Sequence, residues 1–401
     1  MQLMQLLHKI LKKQLPLVHK SRLNNVLEAC SVATRISQLT LTALGRNASK
    51  NIKTRSNIKK MDRLLGNVHL QKEVIDFYKV MNNFLIMKGS YPWIHIDWTC
   101  LCSQTKLYGL RASLSMEGRS IVIYEECYFK EKENNHATHK AFLNKLKALL
   151  PPCVKPVIVT DAGFRGPWFK HILKIGWDFV GRLRNNNAIQ FVESSDWILS
   201  KDLYKDATGT PTFLGEGLLT KTGKVPVHVI SYKGKSHSRH KLNQNKKRCE
   251  SSKSNQYAAA HKEPLLLVTS LKMTGNMATK VVTIYSQRMR IEENIRDTKS
   301  SKYGFGLGQS RTRSIERMKV LLLIAAIATF ACWLAGLATK TNGRAADYQA
   351  HSSKYTKVLS MVYLGREVLK KGIRIGMREL RKMLLLLLEM SAAVQREILH
   401  V

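Results

Sequence analysis

Apolar residues recur at helical spacing through residues 1–85, and nothing there alternates as a strand does. Near the N-terminus one helical face would carry Met4, Leu7, Ile10 and Leu11. Gly45 is a natural stop for the helical stretch that starts at Thr40, and Thr54 can cap a second helix through Leu65. Residues 1–85 are therefore predicted to form a small helical domain.

The pattern changes in the next segment, residues 86–184. Short apolar strands are predicted at 92–97, 107–113, 120–128, 157–161 and 177–183, with helices at 138–150 and 168–175. A hairpin meander that leads into crossover units is typical of a mixed α/β sheet. This segment is interpreted as the first part of an α/β core.

The second half of the chain continues the core after an interruption. Residues 185–276, rich in Thr, Gly, Val and Lys, predict a β-rich insertion with a basic loop at 233–253. Residues 277–340 predict the second part of the core, with a helix at 279–299 and a charge-free run at 320–338. That run could span a membrane by length, but it is Ala-rich and stands alone, which favours a buried core helix. Residues 341–401 predict a helical C-terminal region.

The charge of the chain narrows the choice of partner. Its 401 residues include 66 Lys and Arg against 28 Asp and Glu, a net charge of +38, while 44% are hydrophobic. This composition excludes a disordered basic tail and disfavours an ordinary small-metabolite enzyme. Nucleic acid is the first candidate partner because phosphates neutralise such a charge, and an anionic membrane surface is the second. The 7 scattered cysteines contain no CxxC pair, which indicates reduced thiols in a cytosolic protein and no zinc site of that type.

The predicted helix at 54–65 concentrates positive charge. Ile58, Met61 and Leu65 share one face, and the basic residues lie largely elsewhere: Arg55, Lys59, Lys60 and Arg63. Residues 1–85 carry a net charge of +11. A helix, a turn and a basic helix fit a DNA-reading unit. The alternative is an ordinary solvated charged face.

Acidic residues are scarce, and two of them end apolar strands. Asp97 and Asp161 are each predicted at the end of a strand, where ligands and catalytic groups of α/β sheets collect. Carboxylates together with substrate phosphate are the usual ligands of Mg²⁺. Each aspartate alone could instead be a helix cap or a turn residue.

The predicted helix at 279–299 presents a row of functional side chains. With roughly 100° per residue, one narrow face carries Tyr285, Arg288, Glu292 and Lys299. A stripe of isoleucines, Ile284, Ile291 and Ile295, lies beside that face and would pack on the core. Glu293 is the rival of Glu292 but points about 80° away from Tyr285. The alternative is an amphipathic helix with solvated charges.

These residues resemble a known family. The spacing Tyr285-x2-Arg288-x3-Glu292-x6-Lys299 matches the Y-R-E-K signature of a group of bacterial insertion-sequence transposases. Asp97 in Ile-Asp-Trp and Asp161 in Thr-Asp-Ala-Gly-Phe resemble the two aspartate motifs of that group. The sequence thus resembles the DDE transposases of the insertion-sequence-four type, in particular the cut-and-paste branch that forms hairpin ends.

The resemblance implies a fold and a site. The fold would be a ribonuclease-H-like mixed sheet with a β-rich insertion, flanked by helical N- and C-terminal domains. Asp97, Asp161 and Glu292 would be the catalytic metal ligands for two Mg²⁺ ions, with Mn²⁺ as an alternative. Tyr285, Arg288 and Lys299 would contact DNA. The partners would be transposon-end DNA and target DNA, bound by a homodimer on paired ends, in the cytoplasm at the nucleoid and without a membrane.

Other functions stay open at this point. A structure-selective or RNA-directed nuclease with the same core would cut DNA without strand transfer. A non-enzymatic DNA-binding protein, such as a decayed copy, is disfavoured because all the key carboxylates are present. A membrane role would depend only on residues 320–338.

Overall fold

The computed structural model describes residues 2–184, 186–234, 251–252, 254–255, 263–350, 358–372 and 374–399. The chain divides into two compact units. The first unit comprises Met1–Pro156 and Arg288–Val401, and the second comprises Val157–Gln287. Most of the predicted basic loop at 233–253 lies outside the described residues.

The chain begins with helices, as predicted. They are α1 (Leu3–Gln14), α2 (Lys20–Ile36), α3 (Leu41–Arg46), α4 (Thr54–Leu65) and α5 (Val68–Leu85). Two details differ from the prediction. Lys53 takes the capping position and Thr54 is already helical. Gly45 does not end α3; it lets α4 approach, because a Cβ there would lie 2.6 Å from the Cα of Ile58.

An antiparallel meander follows in the first unit, formed by β1 (Trp93–Cys102), β2 (Leu107–Met116) and β3 (Arg119–Phe129). Helix α6 (His136–Leu149) comes next and begins at the capping side chain of Asn135. The prediction that Asp97 ends its strand is wrong. β1 continues to Cys102 because residues 97–100 and Cys102 pair with β2, so Asp97 lies within a strand.

The second unit is mixed α/β. It contains β4 (Val157–Thr160), α7 (Gly166–Lys174), β5 (Asp178–Leu183), β6 (Ala188–Phe191), β7 (Ile198–Leu199), β8 (Thr212–Leu219), β9 (Val225–Tyr232), β10 (Leu265–Thr269) and α8 (Met277–Ser286). β4 and β5 are parallel, and the other strand pairs of this unit are antiparallel. The order within this unit is β4-β5-β10-β9-β8-β6-β7. The strand-rich character predicted for residues 185–276 is confirmed.

The first unit resumes with α9 (Met289–Lys299), α10 (Ile315–Thr341), α11 (Met361–Lys371) and α12 (Met377–Leu399). A single helix over 279–299 was expected, and that expectation is wrong. Gln287 and Arg288 keep dihedral angles of the right-handed helical region but form a turn, so α8 ends at Ser286 and α9 begins at Met289.

Helix α10 is the core helix predicted from the charge-free run. Every residue from Val320 to Thr339 is buried. Among the described residues it is the one helix long and apolar enough to cross a membrane, and its most apolar window is entirely buried inside the protein. Gly365 of α11 lies against the carbonyl of Cys332, where a Cβ would have no room. A tight helix crossing thus fixes α11 on this core helix.

Candidate active site

Three charged side chains lie side by side on the three strands of the meander in the first unit. Asp97 of β1 lies opposite Arg111 of β2, and Arg111 lies opposite Glu125 of β3. Directly opposed residues of antiparallel strands point to the same face of the sheet. One face of the meander therefore carries a carboxylate, a guanidinium and a second carboxylate side by side.

Helix α9 packs on this face through polar groups. Its buried residues are Ile291, Asn294, Asp297 and Thr298, of which only Ile291 is apolar. The side chain of Glu292 lies on the open side of the helix and is 45% exposed. The helix thus keeps the candidate catalytic carboxylate accessible while its buried face contacts the sheet.

Arg288 joins the carboxylates of Asp97 and Glu292. Its Nη1 lies 3.3 Å from Oδ2 of Asp97, and its Nη2 donates to Oε1 of Glu292 at 2.6 Å. The guanidinium and Asp97 are mostly buried, with 14% and 16% of their side chains exposed. Two of the three predicted metal ligands, from a strand and a helix far apart in sequence, therefore converge on one cation.

Lys299, at the end of α9, also points to β1. Its Nζ lies 3.4 Å from Oγ1 of Thr99. Partial burial lowers the pKa of this lysine below its ordinary value, with a smaller contribution from the charge of Arg111. The structure thus brings Asp97, Glu292, Arg288 and Lys299 together along the contact between α9 and β1.

A buried histidine lies beside this site. His95, two residues before Asp97, is fully buried. Burial lowers its pKa to about 3, and the positive charges of Arg288 and Arg290 act in the same direction. The imidazole is therefore neutral at physiological pH and is a packing residue of β1.

The other two predicted residues belong to the second unit. Asp161 follows β4, as predicted, and its Oδ1 accepts the backbone N–H of Gly163 at 2.9 Å. Tyr285 lies in α8 and is buried, with 6% exposure. Tyr285 and Glu292 belong to different helices, and the placement of both on one helical face stays a prediction. Within the described residues, no cluster of three or more His, Cys, Asp or Glu is arranged to hold a metal ion.

The predicted DNA-reading helix α4 keeps most of its charges in solvent. Arg55, Lys59 and Arg63 are exposed. Lys60 forms an ion pair with Glu28 of α2, so its charge is partly neutralised inside the protein. Asp62 pairs with Arg317 of α10 at 2.5 Å. The helix is therefore tied to α2 and α10 through Lys60 and Asp62, and its other three basic side chains lie in solvent.

Sequence reasoning missed the buried network centred on Arg111. Arg111 and Glu125 form an ion pair at 2.7 Å, and both side chains are only 1% exposed. Tyr78 of α5 donates to Glu125 at 3.3 Å. Burial raises the pKa of Glu125 although the charge of Arg111 opposes the shift. The available signal was the charge itself, because Arg111 interrupts an otherwise uncharged strand.

Two carboxylates, one of them exposed, lie beside an arginine and a lysine in a strongly basic α/β chain, as expected for an enzyme that acts on nucleic-acid phosphates. Residues 94–331 match the family of the transposase DDE domain, which is more than half of the chain. The chain therefore belongs to the DDE transposases. No curated protein sequence matches it.

Family membership confirms the expected fold class and the general activity. The chain has the ribonuclease-H-like α/β fold of a DDE transposase, with flanking helices. It is a transposase, and its substrate is DNA. DDE transposases as a family use divalent metal ions.

Proposed function

We propose that this protein is a cut-and-paste transposase of the insertion-sequence-four type. It would bind transposon ends, cleave the DNA strands and join them to target DNA. One observation supports the site most directly. Asp97 and Glu292 converge on the guanidinium of Arg288 inside the region that matches the DDE family.

The donor set fits Mg²⁺. Asp97 and Glu292 offer hard carboxylate oxygens, and the approach of both to one guanidinium supports a cation site between them. We assign Asp161 as the third ligand, for two Mg²⁺ ions with Mn²⁺ as an alternative. Bound metal would supply activation of the attacking oxygen and stabilisation of charge on the scissile phosphate.

Side chains of the Y-R-E-K set would hold the DNA. Arg288 offers a planar fork to a phosphate, and Lys299 offers a point charge. The hydroxyl of Tyr285 is assigned to a DNA contact. In this structure Arg288 pairs with both carboxylates. DNA phosphates would therefore compete with Asp97 and Glu292 for the same guanidinium.

The remaining assignments concern recognition and assembly. The helical segment 1–85 would bind the transposon ends, through Arg55, Lys59, Lys60 and Arg63. Because Lys60 already pairs with Glu28, it should contribute least of the four. The C-terminal region 341–401 would pair two protomers on paired ends, and the protein would act in the cytoplasm at the nucleoid.

The test is cleavage of end DNA taken from the sequence that flanks the gene. Wild type should cut in the presence of Mg²⁺, and Asp97→Ala, Asp161→Ala and Glu292→Ala should each lose at least ~100-fold in rate while still binding the ends. Unimpaired cleavage by any of the three would overturn the site assignment. A strand-transfer assay separates the transposase from a nuclease, since a nuclease would leave the ends unjoined.

A further inference from the structure

We propose that Arg111 is a positioning residue for Glu292: its guanidinium fixes α9 against the meander so that Glu292 stays beside Asp97. The proposal rests on the proposed function, because it takes Glu292 as a catalytic carboxylate. Arg111 itself lies too deep to touch DNA, with 1% exposure. It would act only through the helix that it holds.

The hydrogen bonds of Arg111 divide between the sheet and the helix. Its Nε donates to Oε2 of Glu125 at 2.7 Å. Its Nη1 donates to Oδ1 of Asn294 at 2.8 Å and to Oγ1 of Thr298 at 3.1 Å. Asn294 and Thr298 are one helical turn apart, so one nitrogen of the guanidinium engages successive turns of α9.

Helix α9 also forms hydrogen bonds with Ser120 of β3. The Nδ2 of Asn294 donates to the carbonyl of Ser120 at 3.1 Å. The hydroxyl of Ser120 donates to the carbonyl of Arg290 at 3.1 Å. These bonds bracket Glu292 along the helix, from two residues before it to two residues after it. They fix both the rotation and the translation of α9 on the sheet.

Directional bonds matter here because apolar contacts supply little of the anchoring. Only Ile291 is both apolar and fully buried on α9. Hydrophobic contact is non-directional, whereas hydrogen bonds are lost when donor and acceptor slip by a fraction of their length. A metal-binding carboxylate depends on such support, and losing it typically lowers metal affinity or activity 10–100-fold.

The position of Arg111 in the sheet couples the two carboxylates. It is the residue directly opposite Asp97 in the β1–β2 register. The same side chain therefore stands beside the strand that carries Asp97 and holds the helix that carries Glu292. Lysine could keep a charge near Glu125, but it lacks the planar fork that reaches Glu125 and α9 together.

The experiment compares substitutions on the two sides of this network. Arg111→Lys removes the bonds to α9, and Thr298→Val removes one of them with little change of shape. Tyr78→Phe is the matched control, because it removes a buried bond to Glu125 that involves no residue of α9. All three are measured for urea stability, end-DNA affinity, single-turnover cleavage with Mg²⁺, and Mn²⁺ affinity of the end-DNA complex.

We expect Arg111→Lys to lower cleavage and Mn²⁺ affinity 10–100-fold, and Thr298→Val to lower them severalfold, with end-DNA affinity within about threefold of wild type. Tyr78→Phe should keep both properties although it loses comparable stability. An equal loss in Tyr78→Phe, or wild-type cleavage in the other two, would overturn the positioning role. If Arg111→Lys does not fold, Thr298→Val decides. Normal cleavage by Glu292→Ala would instead defeat the proposed function itself.

Discussion

Helices α9 and α10 belong to the same unit but are anchored in opposite ways. Helix α10 is buried on all sides from Val320 to Thr339, and nearly all of that surface is apolar. Helix α9 buries a mostly polar face, which hydrogen-bonds to Arg111 and Ser120. One helix is stabilised by the amount of surface that it hides, and the other is oriented by the direction of a few bonds.

The difference corresponds to what each helix carries. Hydrophobic burial contributes most of the folding free energy but tolerates small shifts. A buried hydrogen bond contributes only about 1 kcal/mol net, yet it specifies a geometry. Helix α10 has no candidate site residue, whereas α9 carries Glu292 and Lys299. The polar interface therefore lies where a position, rather than stability alone, has to be maintained.

The largest loss of stability should follow from a substitution in the apolar helix α10. Trp333 is fully buried. Trp333→Ala should lower the free energy of unfolding by about 3–5 kcal/mol because it opens a cavity. Trp333→Phe should cost much less, since the indole N–H has no hydrogen-bond acceptor within the described residues. Urea denaturation measures both. If α10 contributes only stability, cleavage per folded molecule stays at the wild-type level in each variant. A loss of cleavage larger than the unfolded fraction explains would show that α10 also affects the site.

A pH effect of intermediate size should appear at a second polar contact of the meander. Trp98 of β1 donates its indole N–H to Nε2 of His139 at 2.9 Å, so the imidazole is neutral in the folded protein. Burial lowers the pKa of His139 to about 4, with a smaller contribution from His136. The unfolded chain, with a pKa near 6.5, binds the proton first. Stability is therefore complete above pH ~6.5 and falls as the pH drops toward 4, by on the order of 2 kcal/mol at pH 5.

His139→Gln should flatten this dependence, because glutamine does not titrate. The measurement is urea stability at intervals from pH 8 to pH 4.5 in wild type and His139→Gln. Trp333→Phe serves as the comparison, since a change in the apolar core should leave the slope as it is. An unchanged slope in His139→Gln would assign the acid sensitivity to other groups.

The sequence drew attention to Asp97 and Glu292 but not to the residues around them. Asp97 stands out by its apolar surroundings and Glu292 by its helical spacing; the structure places both beside Arg288, and their catalytic role stays a prediction. Arg111 was missed because its partners Asn294 and Thr298 are remote in sequence, and periodicity reports only local neighbours. The isoleucine stripe was predicted only in part for the same reason. Ile291 is buried as expected, but Ile295 is only half-buried, because the surface of the meander against which α9 packs is polar.

The helices and strands were predicted better than the residues at which they begin and end. The helices at 54–65 and 320–338 follow from strong apolar periodicity and from a long charge-free run. The extension of β1 past Asp97 depends on pairing with β2, which no local pattern reveals. Likewise, the interruption at Gln287 lies within a segment whose residue types all permit a helix.

The smallest loss of stability is expected at an exposed ion pair of α9. Arg119 pairs with Glu293 and, at 3.1 Å, with Asp297, on a more exposed side of the helix than Arg111. The side chain of Glu293 is 38% exposed. Glu293→Gln should therefore lower stability by less than about 1 kcal/mol, since Arg119 keeps Asp297 and an exposed ion pair contributes little. Cleavage should stay within about twofold of wild type.

Cleavage by Glu293→Gln and by Glu292→Ala, measured side by side, also decides between neighbouring carboxylates. Glu292 faces Arg288 and the candidate site, while Glu293 faces Arg119. If Glu293→Gln lost cleavage and Glu292→Ala kept it, the catalytic assignment would pass to the other residue. If Glu293→Gln lost as much as Arg111→Lys, any polar contact would suffice to place α9, and the buried network would have no special role. We expect loss of the Arg111 contacts, and not loss of the Arg119–Glu293 pair, to lower cleavage. Water competes for the exposed Arg119–Glu293 pair but does not reach the buried bonds of Arg111.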